Sequence, residues 1–246
     1  MGEKKSVPFS RSYRPPRRLP MRNARQGLSS ILLPCFLMGC ATVPTYTASY
    51  DIALREVERP SQAKVRYGEP KITPIQEDGL QKYYFEDDLI KILFFTSTIQ
   101  IEFVLTNKTD HSIKIVWDEA SFVDEKGVGH RVVHGGTKLI DRNGPQPPTV
   151  VVRKGTIADL VYPSDYVDWT GSSWHHRPIL PNYGETIPGI LEKEANAVIG
   201  KTIQVLLPLQ IEDVVNEYIF SFAIDKVLIK EGPVVIKDAI TGARIQ

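Results

Sequence analysis

Between Pro163 and Gly189 the chain gathers Asp165, Tyr166, Asp168, Trp169, Trp174, His175, His176, Arg177 and Tyr183 in a stretch too long for a simple hairpin loop. Long loops in compact domains are functional or disordered more often than not, and these residue types allow three arrangements. In the first, Trp169 and Trp174 fold back as a lid on the domain, each indole needing one partner for its N–H, while the charges stay in water. In the second, Tyr166, Trp169, Trp174, His175, His176, Arg177 and Tyr183 form a platform for a sugar, a peptide or a partner surface: the aromatics supply contact area and the charged groups supply direction. In the third, His175, His176, Asp165, Asp168 and His134 hold a metal ion, since zinc accepts imidazole and carboxylate ligands. Adjacent histidines on an extended backbone point to opposite sides, which counts against the third.

Other chemistry is thinly represented. Ser164, Ser172 and Ser173 lie near His175, but neither a Gly-x-Ser-x-Gly elbow nor a His-Glu-x-x-His helix is present. Gly135-Gly136 lacks the spacing of a phosphate loop, and Asp141 to Pro145 with Pro147-Pro148 reads as a rigid polar connection. The expectation is therefore a binding or structural module with no catalytic residue, metal or cofactor. An envelope enzyme or metal-dependent hydrolase built on residues 163–189 is the alternative.

The elements that must position these residues read as strands. Ile99, Ile101, Phe103 and Leu105 share one face of an alternating run, and Ile113, Ile115 and Trp117 share one face of the next. The turn residues Asn107 to Asp110 lie between them, so the two runs are expected to pair as a hairpin. Further strands are expected at 82–85, 89–95, 120–123, 130–133, 149–152, 156–162, 202–207 and 216–224, the last with Tyr218, Phe220, Phe222 and Ile224 facing inward. Gly189–Gly200 is the one expected helix. Many short strands separated by turns indicate an all-β domain, a sandwich or barrel, over residues 80–246. Residues 41–79, with Pro44, Pro60, Pro70 and Pro74 and weak periodicity, read as an extended tether with at most a short ordered piece around Tyr50–Glu58.

The net charge of +1 conceals an asymmetry: residues 1–39 carry +7 and residues 40–246 carry −6. A net-negative domain without an evident basic patch disfavours nucleic acid as partner, because such binding depends on Lys and Arg displacing counterions. The basic residues Arg11 to Arg25 precede a short apolar run, Leu28 to Met38, in the layout of an export signal. That run is far short of the roughly 20 residues a membrane span needs. Met21 offers an internal start for a signal of ordinary length.

Leu37-Met38-Gly39-Cys40 closes this segment and resembles the lipobox of bacterial lipoproteins, a likeness confined to residues 21–40. The resemblance implies cleavage before Cys40, acylation of its thiol, and anchoring to membrane lipid. Ala41, rather than Asp, after the cysteine implies the outer membrane, with the domain facing the periplasm or the exterior. The remaining cysteine, Cys35, lies inside the signal, so the mature domain has no thiol for a disulfide. The block from Thr98 to Val123 is similar to immunoglobulin-like sandwich domains of envelope lipoproteins. It implies an antiparallel immunoglobulin-like β-sandwich after the signal peptide and tether, a fold and not an activity. For a binding module so anchored the expected partner is an envelope protein or a cell-wall glycan.

Overall fold

A computed structural model describes residues 41–43, 45–60, 67–77, 80–185, 188–232 and 235–237. The expected signal segment and Cys40 lie outside the described residues. The described chain is all-β, and every strand pairing in it is antiparallel. The strands are β1 (Ala41–Val43), β2 (Thr45–Glu58), β3 (Lys71–Glu77), β4 (Leu80–Glu86), β5 (Ile90–Thr96), β6 (Ile101–Asn107), β7 (Ile113–Ile115), β8 (Ser121–Val123) and β9 (Gly129–His134). They continue with β10 (Thr149–Val151), β11 (Thr156–Pro163), β12 (Val167–Trp169), β13 (Trp174–His176), β14 (Tyr183–Glu185), β15 (Thr202–Ile211), β16 (Val214–Glu231) and β17 (Val235–Lys237). Helix α1 (Pro188–Asn196) lies where the sequence places one.

The main sheet runs β14-β2-β16-β15-β8-β9-β11-β6-β5-β4-β3, with β7 and β10 branching from β15. Its continuity depends on β9, which pairs β8 on one side and β11 on the other. The two halves face each other across an aromatic core. Phe85 of β4 meets Tyr218 and Phe220 of β16 at ring-centroid distances of 6.0 and 5.5 Å, and Phe94 of β5 meets Phe220 and Phe222 at 4.8 and 5.2 Å. The inward set expected on β16, Tyr218, Phe220, Phe222 and Ile224, is fully buried. Alternation at period two therefore selects the buried face, and area burial at roughly 25 cal/mol per Å² supplies the stabilisation.

Three expectations change. Ile99 does not join Ile101, Phe103 and Leu105 in the core: it is 41% exposed. The Ser97 hydroxyl oxygen accepts from the N–H groups of Ile99 and Gln100, making a turn there and starting β6 two residues later.

Nor do β6 and β7 form a hairpin. Asn107 is buried and donates through its side-chain amide to the carbonyls of His111, Val151 and Val152. That turn carries the chain out of one half of the sheet, so β7 pairs β15 and β10 in the other, while β6 pairs β5 and β11.

The expected tether is largely strand. β2 fills residues 45–58 and pairs β16 over almost its whole length, burying Ile52, Ala53 and Leu54. The alternation is weak in the sequence because Ala48, Tyr50, Ile52 and Leu54 are separated by both polar and apolar residues, and a register shift between Ser221 and Phe222 re-phases the pairing. α1 covers one face of the early part of β2 through Leu191, Ala195 and Ala48.

Candidate functional site

β12 and β13 form a separate two-stranded blade, registered as Val167 with His176, Asp168 with His175 and Trp169 with Trp174. Its turn is built by Thr170, whose N–H and hydroxyl both donate to the Ser173 carbonyl at 2.9 Å, and by Gly171 at φ +93°. Because side chains alternate across a strand, Val167, Trp169, Trp174 and His176 share one face, and Asp168, His175 and Arg177 share the other.

The aromatic face is anchored at its base. Val167 is buried with Val133 and Tyr162, and Leu139, Leu160 and Trp174 pack against them. His176 lies 5.1 Å from the Tyr162 ring. The Arg142 guanidinium sits 5.0 Å over the Trp174 ring, and Trp174 lies 5.2 Å from Trp169 at an interplanar angle of 57°. The result is a ladder of guanidinium, half-buried indole and exposed indole. Trp169, at its end, is 53% exposed.

The opposite face is ionic. Arg177 stacks at 4.8 Å over Tyr166, approaches Asp168 at 3.4 Å, and donates to the Asp165 carbonyl. Burial pushes the Tyr166 hydroxyl up from its ordinary value, and the carboxylates of Asp124, Glu125 and Asp165 push it further, so it stays a neutral donor. His130 braces this base: its Nδ1 lies 2.9 Å from one Asp165 oxygen, and its Nε2 lies 3.5 Å from Asp124 on the β8–β9 turn. Burial alone would raise the Asp124 carboxyl, but the Val128 and Lys126 N–H groups and His130 outweigh it and hold it low.

Of the residues singled out in the sequence, Tyr166, Trp169, Trp174, His175, His176 and Arg177 therefore come together. Tyr183 does not: it opens β14 beside Thr47 of β2. The candidate metal ligands are dispersed. Asp168 and His175 share one face of the blade, His176 lies on the other, Asp165 is engaged by His130, and His134 bonds elsewhere. Among the described residues no group of three or more His, Cys, Asp or Glu side chains could hold a metal ion.

Sequence reasoning passed over Arg142, which sat in a segment read only as a rigid connection; nothing in the sequence ties it to Trp174. His134, considered there only as a metal ligand, instead stacks on buried Trp117 at 4.3 Å and 2°, with Nδ1 3.2 Å from Asp159. Asp159 is fixed through its other oxygen by the N–H groups of Gly135 and Leu160. His134 lines an open cleft of about 360 Å³ with Thr137, Lys138, Asp141 and Thr149, among others. The cleft-lining residues include no Ser or Cys, and both threonine hydroxyls are engaged: Thr137 donates to Gln146, and Thr149 accepts from the Trp117 N–H. An oriented imidazole without a nucleophile braces the loop that carries Arg142.

Comparison with protein-family models, with curated proteins and with solved structures finds no match. Among the described residues no helix is long and apolar enough to cross a membrane.

Proposed function

We propose that the chain is a lipid-anchored protein of the bacterial cell envelope, held in the outer membrane through acylated Cys40, that works by binding rather than catalysis. Its β domain is read as an elaborated immunoglobulin-like sandwich. The blade at 167–176 is its binding element, and its ligand is an envelope glycan. The observation that carries the reading is Trp169: a large aromatic held mostly in water at a hairpin tip, backed by a second indole and a guanidinium. Such a ring loses little conformational freedom on binding and offers a flat apolar face with charged groups beside it.

Two measurements test this. Labelled palmitate should enter the wild-type chain and not Cys40→Ser, whose export product should no longer sediment with membranes. Calorimetry with soluble cell-wall glycan fragments should show binding that Trp169→Ala weakens about tenfold, corresponding to about 1.4 kcal/mol. Label in Cys40→Ser would end the anchoring proposal, and unchanged affinity in Trp169→Ala would end the glycan proposal. A hydrolase built on Ser172 and Ser173 finds no support in the geometry, because they form the hairpin turn at the tip of the blade while His130 and Asp165 lie at its base.

A further inference from the structure

We propose that the ligand of the blade carries a carboxylate, and that Arg142 is the residue that selects it. This rests on the glycan reading above and deepens it. Four of the arginines among the described residues have an acid partner: Arg55 with Asp225, Arg59 with Asp87, Arg131 with Asp118 and Arg177 with Asp168. Arg153 is exposed and solvated. Arg142 is half-buried, yet no carboxylate among the described residues lies within ion-pair distance of it. Its Nη1 makes one long bond, 3.3 Å, to the Leu139 carbonyl, and its buried Nε has no hydrogen-bond partner.

The stacking explains how such a group is held and what it leaves available. A guanidinium lying on an indole uses its face, and with Nη1 on the Leu139 carbonyl and Nε buried it is the Nη2 edge that is left for a planar anion. The steps of 5.0 and 5.2 Å along the ladder keep Arg142 within about 10 Å of the Trp169 ring. A saccharide stacked on Trp169 can therefore bring an acidic substituent to Arg142. The net charge of −6 on residues 40–246 makes a local cation necessary for such a ligand. The nearest opposing group in sequence is exposed Asp141, which lines the adjacent cleft with Lys138.

The test uses the detergent-solubilised full chain and two probes of equal length: a chitin hexasaccharide, which is uncharged, and a hyaluronan hexasaccharide, which carries a carboxylate on alternate rings. Wild type should bind the acidic probe about tenfold more tightly, the yield of one charge-assisted contact. Arg142→Gln, whose flat amide can still lie on Trp174, should bring that ratio to about one. Arg142→Lys should restore part of the preference, and Asp141→Asn should increase it. Circular dichroism of the Trp pair verifies that the ladder survives in each variant. Equal affinity of wild type for both probes, with binding still lost in Trp169→Ala, would overturn the role of Arg142 and leave the glycan reading standing. Failure of both probes to bind, or binding indifferent to Trp169→Ala, would overturn both.

Discussion

The ladder predicts that its two indoles contribute unequally to stability and equally to a spectroscopic signal. Trp174 is half-buried among Val133, Tyr162, Val167 and Leu139, with Arg142 and Trp169 both against its ring. Truncation to alanine in a full core costs about 3–5 kcal/mol, and a half-buried indole forfeits about half of that. The cation–π contact adds about 0.5–1 kcal/mol and the ring pair about 0.5–1.5 kcal/mol. Trp174→Ala should therefore destabilise the domain by about 3 kcal/mol. Trp169→Ala removes the same ring pair but little buried area and should cost about 1 kcal/mol. For a domain of this size, 1 kcal/mol moves the melting temperature by about 2–4 °C, so the variants should melt about 6–12 °C and about 2–4 °C below wild type. Two indoles 5.2 Å apart and tilted by 57° couple excitonically, and the resulting far-ultraviolet couplet needs both rings, so either substitution should abolish it. Equal losses of stability, or a couplet that survives one substitution, would refute the ladder.

Three further predictions concern what holds the blade and the core in place. Gly136→Ala should destabilise by about 1–3 kcal/mol, measured by urea denaturation, because a Cβ there would lie 2.6 Å from His134 Cε1 on a ring pinned by Trp117. Asp87→Ala should cost about 3–5 kcal/mol: the side chain is buried, lies 3.2 Å from Arg59 and accepts from Tyr218 and the N–H groups of Leu89 and Ile90, and its removal leaves those buried donors without an acceptor. Burial raises the Asp87 carboxyl above its ordinary value of 3.8 despite those donors. The folded state therefore binds the proton more tightly than the unfolded chain, and stability contributed by this group falls as pH rises from 3.8 through the raised value. Titrating stability against pH should show that fall in wild type and not in Asp87→Asn. Asp124, held low, gives the opposite slope: its contribution is complete above the ordinary value and is lost as pH drops below it.

Strand identity was legible from Gln81 onward because a face buried on one side writes its period into the residues. Tyr218, Phe220, Phe222 and Ile224 show this, as do Ile101, Phe103 and Leu105. Partner choice was not legible. Whether β7 joins β6 or β15 is decided by the Asn107 amide reaching carbonyls of His111, Val151 and Val152, a long-range set of bonds without a local signature. The blade was legible as a cluster of residue types and not as a geometry. Alternation separates His175 from His176 and so disperses the metal set, a consequence the sequence contained. The approach of Arg142 to Trp174 depends on a loop packed under the blade through Leu139 and contained no such clue.

The strand character of β2 alters how an anchored domain would present this blade. Residues 46–51 pair with 226–231 on one side and, at 45–47, with β14 on the other, and α1 packs on them through Leu191 and Ala195. At about 3.3 Å per residue, Thr45 to Ile52 forms a paired ribbon of about 23 Å before the main core begins. A free chain of that length would sample many orientations. A ribbon braced by two neighbours and a helix gives the domain a stem, with the proposed acylation site five residues before its first strand residue. The segment leaving the blade is tied to the body as well: Ile179 and Leu180 donate to the Thr98 carbonyl, and Ala48 donates to the Asn182 carbonyl at the stem. Blade and stem are thus joined through residues 177–182 by main-chain bonds rather than by a hinge. A ligand attached to an extended polymer would meet Trp169 on a support with few internal degrees of freedom, which favours binding by lowering the ordering entropy it must overcome.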